Sequence, residues 1–85
     1  MKAIFFIKKD DYEGEYDLSV VDKLRERGIE VEVLDKDEPT GSAVANVYDI
    51  YSTPSVLVTM ENGTVTGSWI GSIPPEADIV AAAEV

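Results

Sequence analysis

The stretch Tyr12 to Ser19, YEGEYDLS, gathers three hydroxyls (Tyr12, Tyr16, Ser19) and three carboxylates (Glu13, Glu15, Asp17) within eight positions. A second polar stretch, Tyr51-Ser52-Thr53-Pro54-Ser55, precedes an apolar run. Hydroxyls can orient or activate a bound nucleophile, and carboxylates can hold a hard cation. The rest of the chain narrows these options. It has no cysteine and no histidine. Disulfides, thiol nucleophiles and Cys/His metal sites are therefore excluded. So is the side chain best suited to proton transfer near neutral pH. The carboxylates follow no calcium-loop spacing, so neither a metal nor a cofactor is expected.

The elements that must position these residues are legible from periodicity. Ala3-Ile4-Phe5-Phe6-Ile7 is a continuous apolar run, the pattern of a strand buried on both faces. Asp10 to Asp17 is polar and reads as a loop. From Asp17 onward Leu18, Val21 and Leu24 repeat at helical spacing, with Val20 broadening the stripe and Gly28 as the stop. Asp17 is suited to cap that helix by accepting backbone N–H bonds, a contribution of about 1 kcal/mol. Glu13 and Glu15 favour the same positive end, and Arg25 and Arg27 the negative one. Ile29 to Leu34 alternates apolar with charged residues, a half-exposed strand.

Asp35 to Gly41 reads as a loop, and Ser42 to Ile50 as a second, weaker helix carried by Val44, Val47 and Tyr48. Val56-Leu57-Val58 is a strand core. Glu61-Asn62-Gly63 is a hairpin signal resting on the Asn-Gly pair, and Val65 to Ile70 is the return strand. Trp69 is its bulkiest member and is expected in core or sheet-face packing rather than as a stacking platform. Pro74-Pro75 opens a last helix whose apolar side is Ile79, Val80 and Ala83. The order is β-α-β-α-β-β-α. A right-handed strand–helix–strand start gives two parallel strands, and the hairpin adds two antiparallel neighbours. The expected sheet has four strands, with the first internal and the Ile29–Leu34 and Val65–Ile70 strands at the edges.

At 85 residues the chain is one domain, residues 1–85, with one core. A chain this short buries only about 60% of its unfolded surface. Net charge is −10, and every Lys and Arg lies at or before Lys36. Phosphate backbones and anionic membranes would meet repulsion over the second half, so neither nucleic acid nor membrane is expected as a partner. The charge serves solubility, with adaptation to high salt or a basic partner as alternatives. The apolar start is far too short for a signal peptide or a membrane span, and a cytoplasmic location is expected.

The stretch NVYDIYSTPSVLVTMENGTVTGSWIGSIPPEADI resembles the second half of a thioredoxin. Tyr48 and Ile50 match the tyrosine-x-isoleucine before the thioredoxin/glutaredoxin family's cis-proline, and Thr53-Pro54 matches the x-Pro pair. Asn62-Gly63 matches the hairpin turn, and Gly67 and Gly71 match glycines of the last strand and its exit. The resemblance runs in order along nearly the whole chain, with specific motifs only in residues 46–76. The length is that of a minimal glutaredoxin-sized core.

The resemblance implies an α/β thioredoxin-like fold, with helices on both faces of a mixed sheet and a cis Thr53–Pro54 bond. It also places the family's C-x-x-C pair near Gly14-Glu15-Tyr16-Asp17, so Gly14 and Asp17 stand where cysteines would be. Tyr12, Tyr16 and Ser19 fall where the related glutathione transferases place an activating Tyr or Ser, but those enzymes need a second, helical domain. The resemblance thus implies a redox-inactive member. A binding groove would be formed by Tyr12, Gly14, Glu15, Tyr16, Asp17, Thr53, Pro54, Gly71 and Ser72. The first functional reading is a non-catalytic module binding a protein segment or small ligand there, as a monomer or weak homodimer. The alternatives are a structural protein associating through a sheet edge or helix face, and an enzyme descendant with residual non-thiol activity.

Overall fold

A computed structural model of the chain describes residues 1–8 and 18–84. Among them run β1 (Lys2–Ile7), α1 (Ser19–Glu26), β2 (Glu30–Asp35), α2 (Pro39–Val47), β3 (Ser55–Thr59), β4 (Val65–Ile70) and α3 (Glu76–Ala83). The strands form one mixed sheet in the order β2-β1-β3-β4. β1 and β2 are parallel, from Lys2↔Glu30 to Ile7↔Asp35. β3 runs antiparallel to both β1 and β4.

The apolar run in β1 has a direct physical reason. Successive side chains of a strand point to opposite faces, and both faces here are covered. Ala3 and Phe5 face α1 and α3, in a core with Val21, Leu24, Val56, Val58 and Ile79. Ile4 and Phe6 face α2, in a second core with Ala45, Ile50 and Leu57. Phe5 and Phe6 are both fully buried, and each contributes about 1.5–3 kcal/mol by leaving water. β2 has one such face. Val31 is buried beneath α1, while Glu30 and Glu32 lie on the α2 side near Lys2.

α1 buries Val20, Val21 and Leu24. Its N-cap is Leu18, with no side-chain capping bond, rather than Asp17, which lies outside the described residues. Its end is a Schellman motif: Ile29 N–H donates to the Leu24 carbonyl at 3.1 Å and Gly28 N–H to the Arg25 carbonyl at 2.9 Å. Gly28 takes the left-handed conformation this requires, at φ 83°. α1 is also tied to α3 by the Arg27–Glu76 ion pair.

α2 departs from the expectation of a helix over Ser42–Ile50. It starts three residues earlier, at Pro39, and ends at Val47. Pro39 occupies the first turn, where a proline's missing N–H costs nothing. The loop before it shrinks to Lys36–Glu38 and is closed by Asp35, whose carboxylate accepts from Asp37 N–H at 2.8 Å. Gly41 is therefore a helix residue, and it is buried. A β-carbon there would fall onto the Asp35 carbonyl oxygen and 2.7 Å from the carbonyl carbon. The glycine lets α2 lie on the end of β2.

The buried face of α2 is Gly41 and Ala45, with Val44 and Tyr48 partly covered. Val47, expected to carry this helix, is instead 75% exposed. A second Schellman motif ends α2. Ile50 N–H reaches the Ala45 carbonyl at 2.8 Å and Asp49, at φ 57°, occupies the position that Gly28 holds in α1.

The β3–β4 hairpin also differs in detail. Gly63 N–H bonds the Met60 carbonyl at 2.9 Å, and Met60 N–H bonds the Thr64 carbonyl at 2.8 Å. This is a three-residue loop in which Gly63 alone takes positive φ, so the Asn-Gly pair does not form a two-residue primed turn. Asn62 contributes its side chain, accepting from Thr64 N–H at 3.0 Å. Trp69 is half-buried against the α1/α3 core, as expected for sheet-face packing. α3 starts at Glu76, after the two prolines, with Pro75 as its N-cap, and buries Ile79 together with Ala82.

Candidate functional site

The topology brings several strand ends to one side of the sheet. Phe6 pairs with Ser55, Ser55 with Ile70, and Ile7 with Asp35. The exits of β1, β2 and β4 thus meet the entry of β3. The Thr53-Pro54 and Gly71-Ser72 segments lie at this end, one before β3 and the other after β4. Tyr12, Gly14, Glu15, Tyr16 and Asp17, in the segment leaving β1, fall outside the described residues.

The Thr53–Pro54 peptide bond is cis, and both residues are half-buried. What fixes this loop is Ser55, the last residue of the polar stretch before the β3 apolar run and not one of the expected groove residues. Ser55 is fully buried. Its hydroxyl donates to the Ser52 carbonyl at 2.7 Å and accepts from Gly71 N–H at 3.2 Å. One side chain thus satisfies a carbonyl of the Pro54 loop and an N–H of the β4 exit. A buried hydroxyl needs such partners. On the other flank Lys36 donates to the Tyr51 carbonyl at 3.2 Å, and Lys36 N–H bonds the Ile7 carbonyl at 2.8 Å. The loop is therefore tied to β2 as well as to β4.

Two large apolar side chains lie exposed around these ties. Tyr51 is 71% exposed and Ile70 54%. Tyr51 also donates its phenol to Asp49 at 3.2 Å. Gly71 and Ser72 are exposed. Among the described residues no cluster of three or more acidic side chains could hold a metal ion, and no helix is long and apolar enough to cross a membrane. The chain has no cysteine, so nothing at this end of the sheet can form a thiolate.

The β2-β1-β3-β4 sheet, with α1 and α3 on one face and α2 on the other, is a thioredoxin-like fold, here without cysteines. Among the solved structures that match it are two thioredoxins that cover nearly its whole length. Thioredoxin 1 from the thermophilic eubacterium Thermosipho africanus TCF52B superposes with a TM-score of 0.75 at 14% identity, covering 99% of this chain and 91% of that one. A thioredoxin from Thermus thermophilus superposes with a TM-score of 0.65 at 22% identity, covering 98% of this chain and 70% of that one. At these identities the likeness is one of fold. No protein-family model and no curated protein sequence matches the chain.

Proposed function

We propose that this domain is a redox-inactive, non-catalytic binding module that takes an extended protein segment or small ligand at the Pro54 end of the sheet. The observation that carries the reading is the Ser55 hydroxyl joining the Ser52 carbonyl to Gly71 N–H. It holds the Pro54 loop and the β4 exit in a fixed relation, although no cysteine is present for them to serve. An extended segment laid along such a loop gains main-chain hydrogen bonds, and neighbouring side chains supply contact area. Tyr51 and Ile70 are the exposed apolar side chains for that role. Thiol–disulfide exchange passes through a thiolate attacking a disulfide sulfur. A carboxylate such as that of Asp17 forms no mixed disulfide, so recognition here is non-covalent.

The test begins with capture of a partner from native lysate and continues with amide chemical-shift mapping of the captured species on the labelled domain. Shifts centred on residues 51–55 and 70–72 support the proposal. Tyr51→Ala and Ile70→Lys change exposed positions without touching the core, and each should weaken binding. Shifts confined to a sheet edge or a helix face, with both variants binding normally, would instead select a structural protein that associates through those surfaces. Turnover of a substrate by the pure domain would overturn the non-catalytic reading.

A further inference from the structure

The far end of the sheet carries a second surface. β1 runs from Ile7 at the Pro54 end to Lys2 at the other, a separation of about 17 Å at strand rise. α2 covers the sheet from the Pro54 end as far as Ile4 and Leu57, over Phe6 and Leu34. Beyond Val47 the α2-side face continues as Lys2, Glu30 and Glu32, with Thr59 buried beside Lys2. The result is a groove of ≈ 490 Å³ between α2, the sheet and the β3–β4 turn.

Its walls are of two kinds. Val47 and Met60, at 75% and 39% exposure, line it with Val44 and Tyr48. Its rim is acidic, formed by Glu30, Glu32 and Glu61. Its one basic side chain among the described residues, Lys2, is already paired with Glu30 at 3.4 Å and with Glu32 at 3.7 Å, and Met1 adds the α-amino group. These pairs raise the Lys2 pKa, through the Glu30 hydrogen bond first and then the Glu32 charge. Three carboxylates face the two cationic groups of Lys2 and Met1, so the rim keeps a net negative charge.

From this geometry we infer that the groove is a docking site for a cationic amphipathic segment of another protein, its apolar stripe against Val47, Tyr48 and Met60 and its Lys or Arg side chains on Glu30, Glu32 and Glu61. Charge complementarity selects this occupant. A second copy would bring another acidic rim and a net charge of −10 against the first, and like charges juxtaposed in an interface disfavour binding. Helix-in-groove recognition of this kind uses apolar anchors at i, i+3, i+4 and i+7.

The probe is a synthetic peptide of about 14 residues with leucines at those positions and lysines elsewhere. Its control keeps the lysines and replaces the leucines by serine. Amide shifts of the labelled domain should centre on Val44, Val47, Tyr48 and Met60 for the leucine peptide only. The decisive variant is Val47→Glu at a mostly exposed position. Docking on an apolar wall predicts about tenfold weaker binding, the equivalent of one valine side chain left in water. Attraction by net charge alone predicts equal or tighter binding, because the variant is more acidic. Glu61→Lys, in the exposed turn, should also weaken the complex. The inference is overturned by a serine peptide that binds as well, by no binding, by shifts at Tyr51 and Ile70 instead, or by dimerisation of the domain through this face.

Discussion

Replacing Gly41 by alanine tests the central packing claim of the fold, because two effects of opposite sign compete there. Helix propensity favours the change: in an exposed helix interior, Gly→Ala gains about 1 kcal/mol. Packing opposes it. The added β-carbon would sit on the Asp35 carbonyl group, 2.7 Å from its carbon. Carbon atoms rest at about 3.5–4.0 Å, so α2 and the end of β2 must part by roughly 1 Å. The obstacle is main chain, which cannot rotate away as a side chain would. Overpacking costs about 1–3 kcal/mol and sometimes more, and immobile backbone places this site at the upper end. The net expectation is a loss of about 1–3 kcal/mol, lowering the melting temperature by roughly 5–20 °C in a domain of this size. Thermal and urea denaturation, followed by far-UV circular dichroism, measure it. Amide shifts should change along α2 and at Asp35. A Gly41→Ala protein as stable as the parent, or more so, would show that propensity wins and would falsify the close approach of α2 to β2.

Other expectations follow from single contacts. Asp49→Gly should stabilise the domain by no more than about 0.5 kcal/mol in urea melts, because relief of the φ 57° conformation is offset by glycine's greater freedom when unfolded and by loss of the exposed acceptor of the Tyr51 phenol. Ser55→Ala should cost about 1–3 kcal/mol by leaving the Ser52 carbonyl and Gly71 N–H without their partner, and hydrogen exchange at Gly71 should quicken. Lys2 is held above its ordinary pKa of 10.5 by Glu30 and Glu32, so its contribution is complete at neutral pH and is lost as pH rises through the raised value; Lys2→Met should therefore be slightly less stable than the parent at pH 7, with the difference closing in alkali. In insulin reduction by dithiothreitol the pure domain should give only the background rate, and acceleration would contradict a redox-inactive chain.

The architecture was readable because its main determinants are local and periodic. A run apolar at every position, Ala3 to Ile7, belongs to a strand covered twice, and β1 is that strand. The alternation in β2 records one covered face and one shared with charged neighbours. The second helix was harder, because its signals compete. Gly41 has the composition of a loop, yet its purpose is to let two backbones touch, a relation between Gly41 and Asp35 that no periodicity encodes. Val47 fits a helical stripe by spacing, yet Gly41 and Ala45 take the inward face and Val47 is the last residue of α2. At the site, Thr53, Pro54, Gly71 and Ser72 were found by resemblance. Ser55 was not, since a serine at the mouth of an apolar strand reads as a turn residue until its two partners are seen.

Those partners explain how this end of the sheet keeps its form without a dithiol. The Pro54 loop is held by the Ser55 hydroxyl and by Lys36 on the Tyr51 carbonyl. The turn before it is fixed by the Ile50–Ala45 main-chain bond, with Ile50 buried in the α2 core. None of these ties uses a thiol. The described scaffold therefore has its own supports without a thiol. The groove at Lys2 has a separate origin, in the shortness of α2 against the length of the sheet. One surface is shaped by hydrogen-bonded loops at the strand ends and the other by a helix that stops early. The two are about 17 Å apart along β1, a spacing at which changes in one are expected to leave the other's energetics alone.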